Sequence, residues 1–511
     1  MTRPSRTSRR DFLAISASGA AAGVLGGKAM GQDGSTPEEA PVQAPQQAPE
    51  QESPNDSSSD AIRVAVVGVH SRGWNHVMGF HGQPGCEVVA LCDVDSEVLA
   101  NRARECATGT DKRAGFEVET TGDMRTLLNR DDIDAIAIAT PNHTHAMLAC
   151  WALDAGKHVY VEKPVSHVVE EGARIVEAAR RNGKVCATGT QGRTSSSVRD
   201  AIEFVHSGGL GKVHCSRGLC YKPRRPIGNS NGPCFAPATV DYDRWLGPVE
   251  YRALERPRLH YDWHWDLHTG NGDLGNQGIH QMDIARWALG CDALPNRVLS
   301  VGGRLGYVDA GDSPNTQVAW FDCNGTPLVF EVRGLPRDKA AQSDKWEMDT
   351  YEGQSIGNIV HGENGVVRIS NSYSWADFLD NDGNMVQEWK GGGDHFANFV
   401  EAVRADDPAL LNASIQDGHL SSAFCHLGIL SHRLGSPTDT TVVDHAMKSE
   451  PTANEAWGRM RDHLVANEID LRTEKVTLGR PLTIDVASNT IARDPQATRM
   501  LARTSRPPFE F

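Results

Sequence analysis

The stretch Val159-Tyr160-Val161-Glu162-Lys163-Pro164 restricts the choice of fold more than any other part of the chain. A short β-branched and aromatic run is the pattern of a strand buried on both faces of a parallel sheet, and ligands bind in the crevice beyond the carboxyl ends of such strands. This run stops abruptly in an acid, a base and a proline. Proline cannot continue a ladder and restricts the residue before it, so Lys163 is expected at a forced bend facing a ligand, with an X-Pro bond that can be cis.

The segments around it alternate between strand and helix. Ile62 to Val67 reads as a strand and runs into Gly68-Val69-His70-Ser71-Arg72-Gly73. Glycines occupy the first and last positions of G-x-G-x-x-G, for a tight turn and close helix packing, but His70 replaces the middle one. A Cβ there crowds a pyrophosphate, so the loop is expected to open slightly or the His70 ring to turn outward. Glu87 to Cys92 is the next strand and ends in Asp93, where a carboxylate accepts from both ribose hydroxyls and repels a 2′-phosphate, favouring NAD over NADP. The alternative for Asp93 is a helix cap. A helix over Asp123 to Asn129, a strand over Ala135 to Ala139 ending in Thr140-Pro141-Asn142-His143-Thr144-His145, and a helix over Ala146 to Ala155 lead to the Lys163 strand. A helix over Val168 to Arg181 and a strand over Lys184 to Thr188 complete a doubly wound parallel sheet at residues 61–190.

Together the glycine turn and Glu162-Lys163-Pro164 resemble the Gfo/Idh/MocA family of nicotinamide-dependent sugar oxidoreductases. The resemblance implies an α/β chain, with an N-terminal Rossmann domain and a C-terminal α+β domain, at residues 191–435, built on a large, mainly antiparallel sheet that covers the site and commonly mediates homo-oligomerisation. It implies a cofactor site made of Gly68, His70, Ser71, Arg72, Gly73, Asp93, Thr140, Asn142, His145, Glu162, Lys163 and Gln191. Glu162 and Lys163 are placed at the nicotinamide end, with Lys163 at the reacting hydroxyl, and Gln191 and Arg193 near the carboxamide or substrate.

In the second half, Gly272 to Trp287 contains Asn276 and His280 four residues apart, where one helix lets both reach one site. The pair resembles the family's D-x-x-x-H, in which His is the general acid/base and Asp orients it. Here Asn276 replaces the carboxylate, which lowers the pKa of His280, and Asp273 or Asp283 is a candidate for the missing charge. Tyr261 to His268 alternates, placing Trp263, Trp265 and Leu267 on one face and His264, Asp266 and His268 on the other. Tryptophans stack on sugar faces while His and Asp bond hydroxyls, so Trp263, His264 and Asp266 join Arg193 as substrate residues. Those histidines with His280 also suit a Zn²⁺ or Mn²⁺ ion, although the expected chemistry needs no metal. Lys222-Pro223-Arg224-Arg225-Pro226 reads as a solvated rim. Alternating runs near 298–304, 316–322, 327–332, 356–361 and 365–369 supply the sheet, and helices over Phe396 to Ala405 and Asp417 to Leu434 return to the core. Residues 436–511 form an extension with one helix, Glu455 to Ala466, and no chemistry.

Ser8-Arg9-Arg10-Asp11-Phe12-Leu13, followed by an Ala/Gly-rich run, reads as part of a twin-arginine export signal over residues 1–31. A Pro, Gln and Ser-rich linker follows over residues 32–60. The expected mature protein is extracytoplasmic and not inserted in a membrane. A formal net charge of -15 argues against nucleic acid as a partner. The 11 cysteines are scattered without C-x-x-C and read as small buried hydrophobes. These features make the leading expectation an NAD-dependent oxidoreductase acting on a sugar, cyclitol or glycoside hydroxyl, with a tightly held cofactor. A redox-assisted glycosidase and a catalytically silent sugar-binding relative are the alternatives.

Overall fold

The computed structural model describes residues 61–109, 113–343 and 345–511. The twin-arginine segment and the linker lie outside the described residues.

The first of the two domains forms because its central strands are largely apolar on both faces. β1 (Ile62–Val67), β2 (Cys86–Cys92), β3 (Glu119–Thr121), β4 (Ala135–Ile138), β5 (His158–Val161) and β6 (Cys186–Thr188) pair in the order β3-β2-β1-β4-β5-β6. Every pairing is parallel. Parallel neighbours need crossovers, supplied by α1 (Arg72–His81), α2 (Ser96–Thr108), α3 (Arg125–Leu128), α4 (Asn142–Asp154) and α5 (Val169–Asn182). The strand order reverses between β1 and β4, which opens the crevice above their carboxyl ends. The Lys163-Pro164 bond is cis.

The helix carrying His145 starts earlier than expected, at Asn142, because Pro141 occupies the cap position in extended conformation. α4 is buried on nearly every face, so it lacks the amphipathic stripe that would have marked its start.

After α6 (Ser196–His206), β7 (Val213–Tyr221) enters the middle of a 12-stranded sheet. It pairs in parallel with Thr326–Arg333 and antiparallel with Ile356–Gly362. The remaining pairings of the described strands are antiparallel. The helices Gly278–Ala288 and Ile415–Arg433 pack their apolar residues on this sheet, and Phe321 meets Phe424 with ring centroids 5.2 Å apart. Truncating either ring to alanine costs about 3–5 kcal/mol.

Residues beyond 435 are not a separate extension. Ser436–Thr438 and Val476–Leu478 pair with each other, and the second continues onto Arg297–Gly303, because a sheet edge left open is completed by whatever strand returns to it. Among the described residues, no helix is long and apolar enough to cross a membrane.

Candidate functional site

A cavity of about 510 Å³ follows the carboxyl ends of the nucleotide-domain strands. Its floor starts at the glycine turn. Gly68 has φ +82°, and a Cβ on Gly73 would fall 1.7 Å from the Gly68 carbonyl oxygen, so neither position accepts a side chain and α1 is drawn close beneath the loop. Ser71 and Arg72 complete the turn on the cavity wall. His70 also lines the cavity; the residue is exposed, and its ring stacks on that of His260 of the second domain, another lining residue, at 4.8 Å and 14°. His260 in turn bonds Asp95, the cap of α2, at 2.9 Å.

Asp93, at the end of β2, accepts from the main-chain amides of Val69 (2.8 Å) and Asp95 (3.0 Å) and faces the cavity. It braces the glycine loop and presents a carboxylate where a ribose is expected. Thr140, Asn142 and His145 line the opposite side. Both ring nitrogens of His145 lie 2.7 Å from carbonyl oxygens, of Pro164 and Thr140, so His145 ties β4's exit to the bend after Lys163. Gln191 also lines the cavity, and its buried Oε1 has no hydrogen-bond partner among the described residues. An orphaned acceptor of this kind fits the amide of a nicotinamide, as the glycine-only turn fits a diphosphate. The residues present therefore fit NAD.

At the Lys163 end the chemistry is set by burial. Lys163 Nζ donates to the carbonyl of Asn276 at 2.8 Å. Burial lowers the pKa of this amine to about 8, against the opposing pull of Glu162. Glu162 is clamped by Arg72 (2.5 Å) and His76 (3.0 Å); although burial pushes it upward, Arg72 and His76 hold it well below the usual carboxylate range. Burial, then the nearby Lys163, keeps His280 far below the usual imidazole pKa and therefore neutral. Its Nδ1 has no hydrogen-bond partner among the described residues.

Asn276 and His280 both line the cavity, but not from one continuous helix. Asn276 sits in the break between Gly272–Gly275 and Gly278–Ala288, where ψ is -80°. Neither neighbouring acid supplies charge to His280. Asp273 forms a bidentate pair with Arg224 at 2.5 and 2.6 Å, and Asp283 is held by Arg193 at 2.8 and 3.0 Å.

Several expected substrate residues lie elsewhere. Arg193 is buried against Asp283 and Asp417 and does not line the cavity, because the buried Asp283 and the half-buried Asp417 need its charge. The stretch 261–268 is not a strand: Asp262–Trp265 is a 3₁₀ turn that follows Tyr261 at φ +67°. Trp263 and His264 reach the cavity, with their rings stacked at 3.6 Å. Burial lowers the His264 pKa to about 3. Asp266 instead pairs with Arg252 and Arg256, and His268 bonds the Glu250 carbonyl. Among the described residues, no group of three or more His, Cys, Asp or Glu is arranged to hold a metal ion. Nor is Lys222 to Pro226 wholly a solvated rim. Arg224 is buried over Trp265 at 4.6 Å, and Lys222 bonds Gln277 at 2.8 Å.

The far end of the cavity was not foreseen. Met124, Leu148, Trp151, Arg244, Trp245 and Phe509 line it. They come from segments distant in sequence and carry no motif; an aromatic near a polar chain end is the only local signal.

Residues 62–190 match the Gfo/Idh/MocA model described as an oxidoreductase family NAD-binding Rossmann fold, and residues 211–319 match the family's C-terminal alpha/beta domain. The chain is 40% identical over 129 residues to an alpha-N-acetylgalactosaminidase of Shewanella oneidensis, covering 25% of this chain and 28% of that protein. It is 26% identical over 268 residues to a levoglucosan dehydrogenase of Pseudarthrobacter phenanthrenivorans, covering 50% of this chain and 61% of that one. The chain thus spans less than two thirds of the length of these relatives. A solved WlbA dehydrogenase of Bordetella pertussis, in complex with NADH and UDP-GlcNAcA, shares the fold with a TM-score of 0.52 at 21% identity, over 73% of this chain and 97% of that one. The matches to both domains support the Gfo/Idh/MocA oxidoreductase family for this chain, with an NAD-binding Rossmann domain at its head.

Proposed function

We propose that the protein is an exported oxidoreductase that acts on a hydroxyl of a sugar, cyclitol or glycoside and keeps its NAD bound through the catalytic cycle. The observation that carries this reading is the convergence of Lys163, Asn276 and His280 at one end of a cavity that also presents Asp93. When bound, NAD supplies a hydride acceptor. The chain's own work is to hold the substrate hydroxyl and take its proton. Neutral Lys163 is the base, since an amine with a pKa of about 8 is substantially uncharged just above neutrality. The Asn276 carbonyl fixes the amine in place, and His280, neutral and unpartnered at Nδ1, orients the hydroxyl. Trp263 and His264 supply a flat apolar face and a polar edge of the kind a pyranose ring uses.

Retention follows from the export reading, because no soluble NAD is supplied outside the cytoplasm. The second domain supports it by crossing the adenosine side. The Ser96 amide donates to Thr239, and the Asp241 amide donates to Val94. A redox-neutral glycosidase is the second reading, favoured by the 40% identity of the nucleotide domain to the N-acetylgalactosaminidase.

The test is to denature the isolated protein, identify any released nucleotide, and add a panel of sugars and glycosides to the native protein while following reduced-nicotinamide absorbance. Reduction by a free sugar supports the oxidoreductase; glycoside cleavage without net reduction selects the glycosidase. A folded protein that neither carries NAD nor binds it when added contradicts both.

A further inference from the structure

We infer that the tail formed by residues 503–511 completes the adenine half of the NAD site, with Phe509 as its wall. The inference rests on the cofactor reading above and extends it to a segment outside both matched family regions. Once the glycine turn takes the diphosphate, Asp93 the ribose and the Lys163 end the nicotinamide, the purine is left with the apolar surface beyond Asp93. That surface is Met124, Leu148 and Trp151, joined by Phe509. Phe509 is 4% exposed and belongs to the same apolar cluster as Met124, Met147 and Leu148. A purine needs apolar faces and a close fit, which an aromatic ring supplies.

The tail is fastened to both domains. In the second, Arg506 donates from Nε to the Val249 carbonyl at 2.8 Å and from Nη2 to the Asp243 carbonyl at 2.7 Å, and it pairs with the Asp243 carboxylate at 2.8 Å. Its guanidinium lies 4.7 Å from the Phe509 ring centroid, which sets the ring's position. In the first domain, Trp151 Nε1 donates to the Glu510 carbonyl at 3.0 Å and Arg174 donates to Phe511 O at 2.8 Å. An adenosine leaving through this end must displace Phe509, so the tail is a retention strap as well as a wall.

The experiment uses the full chain, stripped of nucleotide and titrated by calorimetry with NAD, ADP-ribose and nicotinamide mononucleotide, with release of NAD followed separately by chase. In Phe509→Ala, NAD and ADP-ribose should each bind about 10- to 100-fold more weakly, the scale of one buried aromatic contact, while the mononucleotide is unaffected. NAD release should accelerate in parallel. Arg506→Met, which removes the anchors to Val249 and Asp243 and the cation beside the Phe509 ring, should raise the release rate in the same direction. If Phe509→Ala does not fold, Phe509→Leu keeps the cluster filled and should give a smaller loss of the same selectivity. A folded variant that binds ADP-ribose as tightly as the wild type overturns the inference while leaving the cofactor reading intact. Wild-type protein that binds neither NAD nor ADP-ribose overturns the cofactor reading, and the strap with it.

Discussion

The amine of Lys163 donates to the main-chain carbonyl of Asn276 at 2.8 Å, which ties the exit of β5 to the break before the His280 helix. Because the acceptor is backbone, the side chain at 276 can change without releasing Lys163. Asn276→Asp restores the carboxylate expected of the resembling family and adds a negative charge beside both Lys163 and His280. It should raise both pKa values and shift the pH-rate profile for hydroxyl oxidation to higher pH. An unchanged profile means that residue 276 does not sense the titrating group.

In the wild type, oxidation should rise as pH passes through about 8, where Lys163 loses its proton. His280 is held far below this range and contributes no limb there. The same shift affects stability. Burial lowers the folded pKa from 10.5 to about 8, so between these values the unfolded chain binds more protons and stability rises with pH. Below that window the buried ammonium is a cost, and Lys163→Met should stabilise the nucleotide-free protein at neutral pH by about 1–3 kcal/mol. Denaturant titration at neutral and alkaline pH checks this; the stabilisation should shrink at the higher pH.

Asp93 shares its end of the cavity with Arg125 and Arg244, both already paired with acids on neighbouring turns. Removing the Asp93 charge leaves cations near a 2′-phosphate. Asp93→Ser should therefore gain NADP affinity and lose NAD affinity, by about 10-fold or more in the ratio. It should also lower Tm, because the Val69 amide loses its acceptor. Wild type binding NADP as tightly as NAD by calorimetry would remove the role given to Asp93.

Arg224 and Asp273 are buried together beneath the substrate end. Leaving either charge alone costs about 3–5 kcal/mol, so Arg224→Met and Asp273→Asn should each destabilise the fold by that order. The double variant Arg224→Met/Asp273→Asn should be much less affected than the sum, a coupling that denaturation curves read directly.

The nucleotide domain was legible because its signals are local. The strand Ile62–Val67 appears at its expected limits, and the turn Gly68 to Gly73 admits no side chain at either end. Where the reading failed, distant residues decided. The alternation from Trp263 to His268 imitates a strand, yet Asp262 is held by Arg258 and Asp266 by Arg252 and Arg256, and these pairings fold the segment into a turn. Arg193 looked like a substrate residue by position in the chain, but Asp283 and Asp417 claim its charge in the interior. Phe509 reaches the cavity only because the tail returns across the nucleotide domain, a tertiary fact without a sequence period.

The central claim is that Lys163 and His280 act on the same hydroxyl, and single-turnover hydride transfer in NAD-loaded Lys163→Ala, His280→Ala and the double variant tests it most directly, with Tm measured alongside. Each single change should slow transfer by about 10²–10⁴-fold with NAD still bound and Tm near that of the wild type, and the double variant should fall little further. Normal hydride transfer in a stable, NAD-loaded His280→Ala contradicts the account.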